Sequence, residues 1–180
     1  AAFQAWGVLR TLKQTIGMFA IALWDRQSKE LTLARDRFGE KPLFYGWQGG
    51  SFLFGSELKS LAVHPEWQGM IDRDALSLYT QYGYVPVPLS IWQGISKLPP
   101  GTFLTLPLDI AIGELPEPTF FWRATEFMKL VEDHEVDDTS AVEELEFRLG
   151  DAISGQMVAD VPLGAFLSGG VDSSTVVALM

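Results

Sequence analysis

Phe3, Trp6, Leu9, Leu12 and Ile16 recur at spacings of three and four, which predicts a helix over 3–16 with one apolar face. Gly7 weakens that helix by about 1 kcal/mol, and Gly17 ends it. Met18-Phe19-Ala20-Ile21-Ala22-Leu23-Trp24 is apolar throughout and short, the pattern of a strand buried on both faces. Asp25 to Lys29 is polar and reads as a turn, and Leu31 to Ala34 as a strand. Leu43–Trp47 and Ser51–Phe54 flank Gln48-Gly49-Gly50, a hairpin whose glycines can supply positive φ. The first 55 or so residues thus predict one helix followed by an antiparallel meander.

Further along, Leu58 to Val63 predicts a short helix that His64-Pro65 ends, because the residue before proline is pushed out of the helical region. Asp72 can cap a second helix reaching Tyr82, with Ala75, Leu78, Tyr79 and Tyr82 inward. Val85-Pro86-Val87-Pro88 is extended or turning. Leu98-Pro99-Pro100-Gly101 predicts a turn, Thr102–Leu106 a strand, and Thr119–Trp122 the last strand of this region. From Arg123 to Asp138 the chain becomes acidic, the character of a solvated linker. Ser140 and Glu143 have capping-box spacing, and Val142, Leu145, Leu149, Ile153 and Met157 trace a helical face after it. Leu163–Leu167 reads as a short apolar strand, Ser168-Gly169-Gly170 as a loop, and Val171 onward as a new helix. A strand, a glycine loop and a helix in that order open a parallel α/β unit.

Composition narrows the function classes. The net charge is −10, which argues against a polyanion-binding surface, since nucleic-acid binders carry a basic footprint. There is no cysteine, so thiolate metal sites, disulfides and a cysteine nucleophile are excluded within these residues. The aromatic residues, 12 Phe, 6 Trp and 4 Tyr, can anchor a substantial core. No run approaches the ~18 apolar residues of a membrane span. The chain opens at Ala1 and stops at Met180 inside an apolar run, and both ends read as cuts in a longer protein.

The segment with the clearest chemistry is Ser168-Gly169-Gly170-Val171-Asp172-Ser173-Ser174. Glycines let backbone N–H groups close on a ligand, and the new helix aims its free N–H groups and positive dipole end at the same place. Three serine hydroxyls add donors. Such a loop would hold a phosphate or pyrophosphate. Asp172 would cap the helix or help hold a divalent cation. The lysine of the common P-loop is absent. His64 and His134 lie in loops without further ligands, and no catalytic or metal-ligating set is expected. Arg35, Asp36, Arg37, Glu40 and Lys41, on residue types alone, read as a solvated charge cluster, and Glu57 with Lys59 as a surface pair.

The run Leu167–Ser174 resembles the pyrophosphate loop of ATP pyrophosphatases. Gly17–Asp25, Ala34-Arg35-Asp36-Arg37-Phe38-Gly39-Glu40-Lys41-Pro42-Leu43-Phe44-Tyr45, Phe54–Leu61, Leu98–Gly101 and Asp160–Gly164 are similar, in order and spacing, to the glutamine-hydrolysing asparagine synthetase family. The resemblance implies a fold of mixed α/β and α+β class. Residues 1–125 would be the C-terminal part of an Ntn-type αββα glutaminase domain (class II amidotransferase). Residues 126–138 would be a linker, and 139–180 the first strand-loop-helix of a Rossmann-like ATP-pyrophosphatase domain.

What the resemblance implies for function follows residue by residue. Phe166, Leu167, Ser168, Gly169, Gly170, Val171, Asp172, Ser173 and Ser174 would bind ATP and its pyrophosphate. Met18 would line an ammonia tunnel, which requires it to be buried beside a domain interface. The charged residues 35–41 become structural. The parent would be a cytoplasmic enzyme that uses ATP, Mg²⁺, aspartate and glutamine, with no nucleic-acid or membrane partner; a homodimer is compatible with that family. The 180 residues alone would be inactive. Two other readings share the loop: a different amide- or β-lactam-forming ATP pyrophosphatase, and a non-catalytic nucleotide-binding module.

Overall fold

A computed structural model describes residues 1–128 and 137–180. The chain divides into two compact units, Ala1–Met128 and Lys129–Met180, each treated by itself below. The expected linker at 126–138 falls mostly on residues outside the described ones, together with His134 and the acidic Glu132, Asp133 and Glu135; its first residues belong to a short helix, Ala124–Met128.

The first unit contains helices α1 (Ala2–Gln14), α2 (Leu58–Leu61), α3 (Arg73–Tyr82) and α4 (Ala124–Met128) and seven strands. These are β1 (Ala20–Asp25), β2 (Glu30–Arg35), β3 (Phe44–Gln48), β4 (Ser51–Gly55), β5 (Ile95–Lys97), β6 (Thr102–Pro107) and β7 (Thr119–Phe120). They form two antiparallel sheets rather than the single meander that the pattern predicts, ordered β1-β2-β6-β7 and β4-β3-β5. The split occurs between β2 and β3, where the chain turns sharply at residues 36–43 instead of folding back alongside β2.

Alternation along β2 and β6 explains the layering. Leu31 opposes Leu106 and Leu33 opposes Leu104. All four face a core shared with Leu43, Tyr45 and Leu98 from the second sheet and its approaches. Ala34, one residue on, faces the other way. There it joins Leu12 of α1 and Phe121, with Phe19, Ile21 and Phe103 against them. The result is a helix–sheet–sheet stack, a mixed α/β architecture with antiparallel sheets.

Several local expectations change. Gly7 interrupts α1 with φ 76° and ψ 172°, so only Leu12 of the apolar face is fully buried, and Ile16 is 91% exposed. The strand at 18–24 is not buried on both faces. β1 is the edge of its sheet, with Ala22 and Trp24 exposed. In α3 the Asp72 carboxylate caps as expected, accepting from the N–H groups of Asp74 at 2.9 Å and Ala75 at 3.0 Å. Tyr79 and Tyr82 nevertheless stay exposed, and Ala75 alone is buried. The aromatic residues of 52–54 and 120–122, candidates for the core by type, are only partly in it: Phe121 is buried, but Phe54 and Phe120 are exposed.

The second unit contains α5 (Asp138–Gln156) and α6 (Val171–Leu179). Asp137 caps α5, accepting from Ser140 N at 3.1 Å and Ser140 Oγ at 2.6 Å. The capping box from Ser140 is not formed, because the helix starts three residues earlier, nearly a full turn, and Ser140 lies inside it. Leu163–Leu167 is not a strand. A parallel strand needs a neighbour to take its hydrogen bonds, and the described residues of this unit supply none. No described residue in this unit is buried.

Candidate functional site

The glycine loop runs into α6 as the residue pattern predicts. Gly169 has φ 78°, in the left-handed region that favours glycine. Gly170 is the N-cap of α6. The first closing bond runs from Ser174 N–H to the Gly170 carbonyl at 3.1 Å, so helix geometry leaves the amides of Val171, Asp172 and Ser173 without an intrahelical acceptor. Ser168 and Ser173 are joined through their hydroxyls at 2.9 Å, and Ser173 Oγ also donates to the Gly170 carbonyl at 3.1 Å. A Cβ built on Gly170 would find only those two hydroxyls, at 3.7 and 3.9 Å, and one on Gly169 would find nothing within 4 Å. The space above the loop is open to a ligand, and amides without an intrahelical acceptor and the serine hydroxyls line it.

Asp172 does not cap α6, because Gly170 occupies the cap and no side chain bonds there. It sits in the first turn as an exposed carboxylate. Among the described residues no three His, Cys, Asp or Glu side chains could together hold a metal ion. Phe166, expected in a strand beside the nucleotide, is 101% exposed, and Leu167 and Val171 are exposed as well.

In the first unit, Met18 lies in the loop before β1 and is 53% exposed. Within the first unit it is not buried, and the residues that follow it form an edge strand. Beside it stands a buried polar cluster. The Asp36 carboxylate, 1% exposed, accepts four backbone N–H bonds. Phe38 and Glu40 bond one oxygen at 3.2 and 3.0 Å, and Phe19 and Lys41 bond the other at 3.3 and 3.0 Å. Burial pushes this carboxyl up, but the backbone N–H groups of Lys41, Glu40, Phe19 and Gly39 outweigh it and hold its pKa below the usual carboxylate range.

Arg35, 8% exposed, donates to three carbonyls: from Nε to Lys41 at 2.8 Å, from Nη1 to Leu98 at 2.8 Å, and from Nη2 to Gly39. Burial lowers its pKa and the neighbouring Asp36 charge opposes that shift. Arg37 reaches back to the carbonyls of Lys13 and Thr15 at the end of α1. Gly39 has φ 69°, and a Cβ there would lie 2.9 Å from the Arg35 guanidinium carbon. The sequence Arg-Asp-Arg-Phe-Gly-Glu-Lys is thus a tight turn folded around two buried opposite charges. Residue types alone suggest a solvated cluster. The glycine and the alternating charges at consecutive positions were the available signal for the turn. Glu57 and Lys59 pair at 2.8 Å with both side chains mostly exposed, as expected.

Residues 1–113 match the family described as glutamine amidotransferase domain. The chain belongs to the glutamine amidotransferase domain family. Residues 144–180, which contain the whole glycine loop, match the family described as asparagine synthase. A putative glutamine-hydrolysing asparagine synthetase 2 of Methanocaldococcus jannaschii is 36% identical over 171 residues, covering 94% of this chain and 32% of the relative. Glutamine-hydrolysing asparagine synthetase 3 of Bacillus subtilis is 38% identical, covering 91% of this chain and 25% of the relative. A putative glutamine-hydrolysing asparagine synthetase of Mycobacterium bovis is 36% identical, covering 99% of this chain and 27% of the relative. This amidotransferase-family chain spans a third or less of the length of those three relatives. The resemblance to the glutamine-hydrolysing asparagine synthetases is borne out along almost the entire chain. No helix among the described residues is long and apolar enough to cross a membrane.

Proposed function

We propose that the chain is the junction of a cytoplasmic, glutamine-dependent asparagine synthetase. Residues 1–125 would be the C-terminal part of its class II glutaminase domain, with the Ntn-type fold. Residues 126–138 would be the linker, and 139–180 the opening of a Rossmann-like ATP-binding domain. The observation that carries this reading is the succession of two matches in one chain: amidotransferase over 1–113, then asparagine synthase over 144–180 with the glycine loop inside it.

The residues of the loop would act by electrostatics and position. The amides of Val171, Asp172 and Ser173 and the hydroxyls of Ser168, Ser173 and Ser174 would hold the β- and γ-phosphates of ATP. Held that way, the α-phosphorus is open to in-line attack by the β-carboxylate of aspartate. A carboxylate oxygen–phosphorus bond forms, the bond to the bridging oxygen breaks, and pyrophosphate leaves on the loop. Ammonia from glutamine then attacks the acyl carbon of β-aspartyl-AMP. It loses a proton to give asparagine, and AMP departs. Met18 would line the route of that ammonia. None of the 180 residues is a cysteine, so the chain holds no thiol nucleophile for releasing it.

The test is aspartate-dependent exchange of labelled pyrophosphate into ATP by the full-length gene product, together with asparagine formation from glutamine. Exchange that requires aspartate supports the reading. ATP binding without exchange under any carboxylic acid would replace it with a non-catalytic nucleotide-binding role.

A further inference from the structure

Outside the glycine loop, the first unit carries a cleft of about 630 Å³ bordered by Arg37, Phe38, Pro100, Phe120, Trp122 and Arg123. Its walls are aromatic. Phe38, 70% exposed, meets Trp122 at a ring separation of 5.1 Å, and Trp122 stacks on Phe127 at 5.8 Å. Its charge is cationic. The Arg123 guanidinium carbon lies 3.7 Å from the centre of the Phe120 ring, and its N–H groups have no hydrogen-bond partner among the described residues. Arg37 is held from behind by the carbonyls of Lys13 and Thr15. The ion pairs among the described residues are Lys59–Glu57 and Arg148–Glu144, so no described carboxylate neutralises either arginine. On a chain of net charge −10, two such guanidinium groups beside open aromatic faces form a local exception.

We propose that this cleft binds a small planar aromatic anion, with its ring against Phe38 and Trp122 and its anionic group at the edge of Arg123. The volume lies within the ~300–1,000 Å³ usual for small-ligand sites. Aromatic faces reward a flat apolar body, and an arginine pre-stacked on a ring offers a planar fork to a carboxylate or phosphate. Neither residue of the proposed ring contact belongs to the glycine loop, so the site is independent of the ATP reading above.

The probe is 1-naphthoate, titrated into the full-length gene product by calorimetry, with neutral 1-naphthamide as its isosteric control. Saturable binding with a dissociation constant on the order of 1 mM or tighter is expected. The amide should bind about five-fold more weakly, the size of one exposed charge contact. Arg123→Gln should weaken naphthoate by a similar factor while leaving naphthamide unchanged, and Arg123→Lys should restore part of the loss. The comparison of the two probes on the unaltered chain stands even if a variant does not fold. Absence of saturation, equal binding of acid and amide, or binding of an acidic aromatic peptide in place of naphthoate would each overturn the proposal, the last by giving the cleft to a protein partner.

Discussion

Phe19 and Asp36 exchange two hydrogen bonds: the Asp36 N–H donates to the Phe19 carbonyl at 2.9 Å, and the Phe19 N–H donates to the Asp36 carboxylate at 3.3 Å. The side chain thereby continues the β1–β2 ladder one step beyond its last backbone pair, Ala20 with Arg35. The loop carrying Met18 is fixed on one side by a buried charge.

That charge makes stability pH-dependent. The folded pKa of Asp36 lies below its unfolded value of about 3.9. The folded state then binds fewer protons than the unfolded one, so the contribution of Asp36 is fully present above the unfolded pKa and is lost as pH falls through the folded one. Urea midpoints should drop below about pH 4. Asp36→Asn should lower stability at pH 7 by about 2–3 kcal/mol, because its amide turns a donor toward N–H groups that need an acceptor. It should also flatten the acid slope; an unchanged slope in the variant would remove Asp36 as its source.

Arg35→Met keeps the aliphatic stem but leaves the carbonyls of Gly39, Lys41 and Leu98 without their shared donor. Two acceptors in the turn and a third on the distant Leu98 cannot all be re-paired by one water. A loss of about 2–4 kcal/mol is expected in urea unfolding. A variant within 0.5 kcal/mol of the parent, about the scatter of ordinary surface changes, would mean that the turn holds its shape without the guanidinium.

Gly170→Val tests the loop. Gly170 has φ −78° and room for a Cβ, so the fold tolerates a side chain and any loss is a matter of ligand approach. In the full-length gene product, ATP affinity should fall by about tenfold or more, one 1.4 kcal/mol contact, with glutaminase rate intact. Equal affinity and equal synthetase rate would take the loop away from the phosphates.

Met18→Lys places a cation on the proposed ammonia route. Glutamine hydrolysis should continue while asparagine formed per glutamine falls. A coupling ratio that does not change removes Met18 from that route, and its exposure in this chain would then be its ordinary state.

Elements set by local chemistry were legible in the residues. The hairpin expected around Gly49-Gly50 joins β3 and β4, with Gln48 extending β3 to pair with Ser51, and Asp72 caps α3. The fold's division into two sheets was not legible. It depends on the turn at 36–43, whose shape comes from Arg35 reaching Leu98, distant in sequence. β5 escaped notice because three residues carry no periodicity. The apolar run at 163–167 shows the reverse failure: its pattern is that of a strand, yet a strand forms only where another offers its edge. Within the candidate site, residue types pointed to the glycine loop, while the buried state of Asp36 is a product of tertiary folding and left only a charge pattern behind.

The turn around Asp36 inverts the usual ranking of loops and strands in solvent isotope exchange. Its Phe38, Glu40 and Lys41 amides are bonded to a carboxylate that is itself sealed from water, and Arg35 clasps the carbonyl side of the same segment. No small fluctuation frees one of these amides without uncovering an ion. In deuterium oxide these three should keep their protium longer than the amides of edge strand β1, so a segment with no regular secondary structure would outlast a strand.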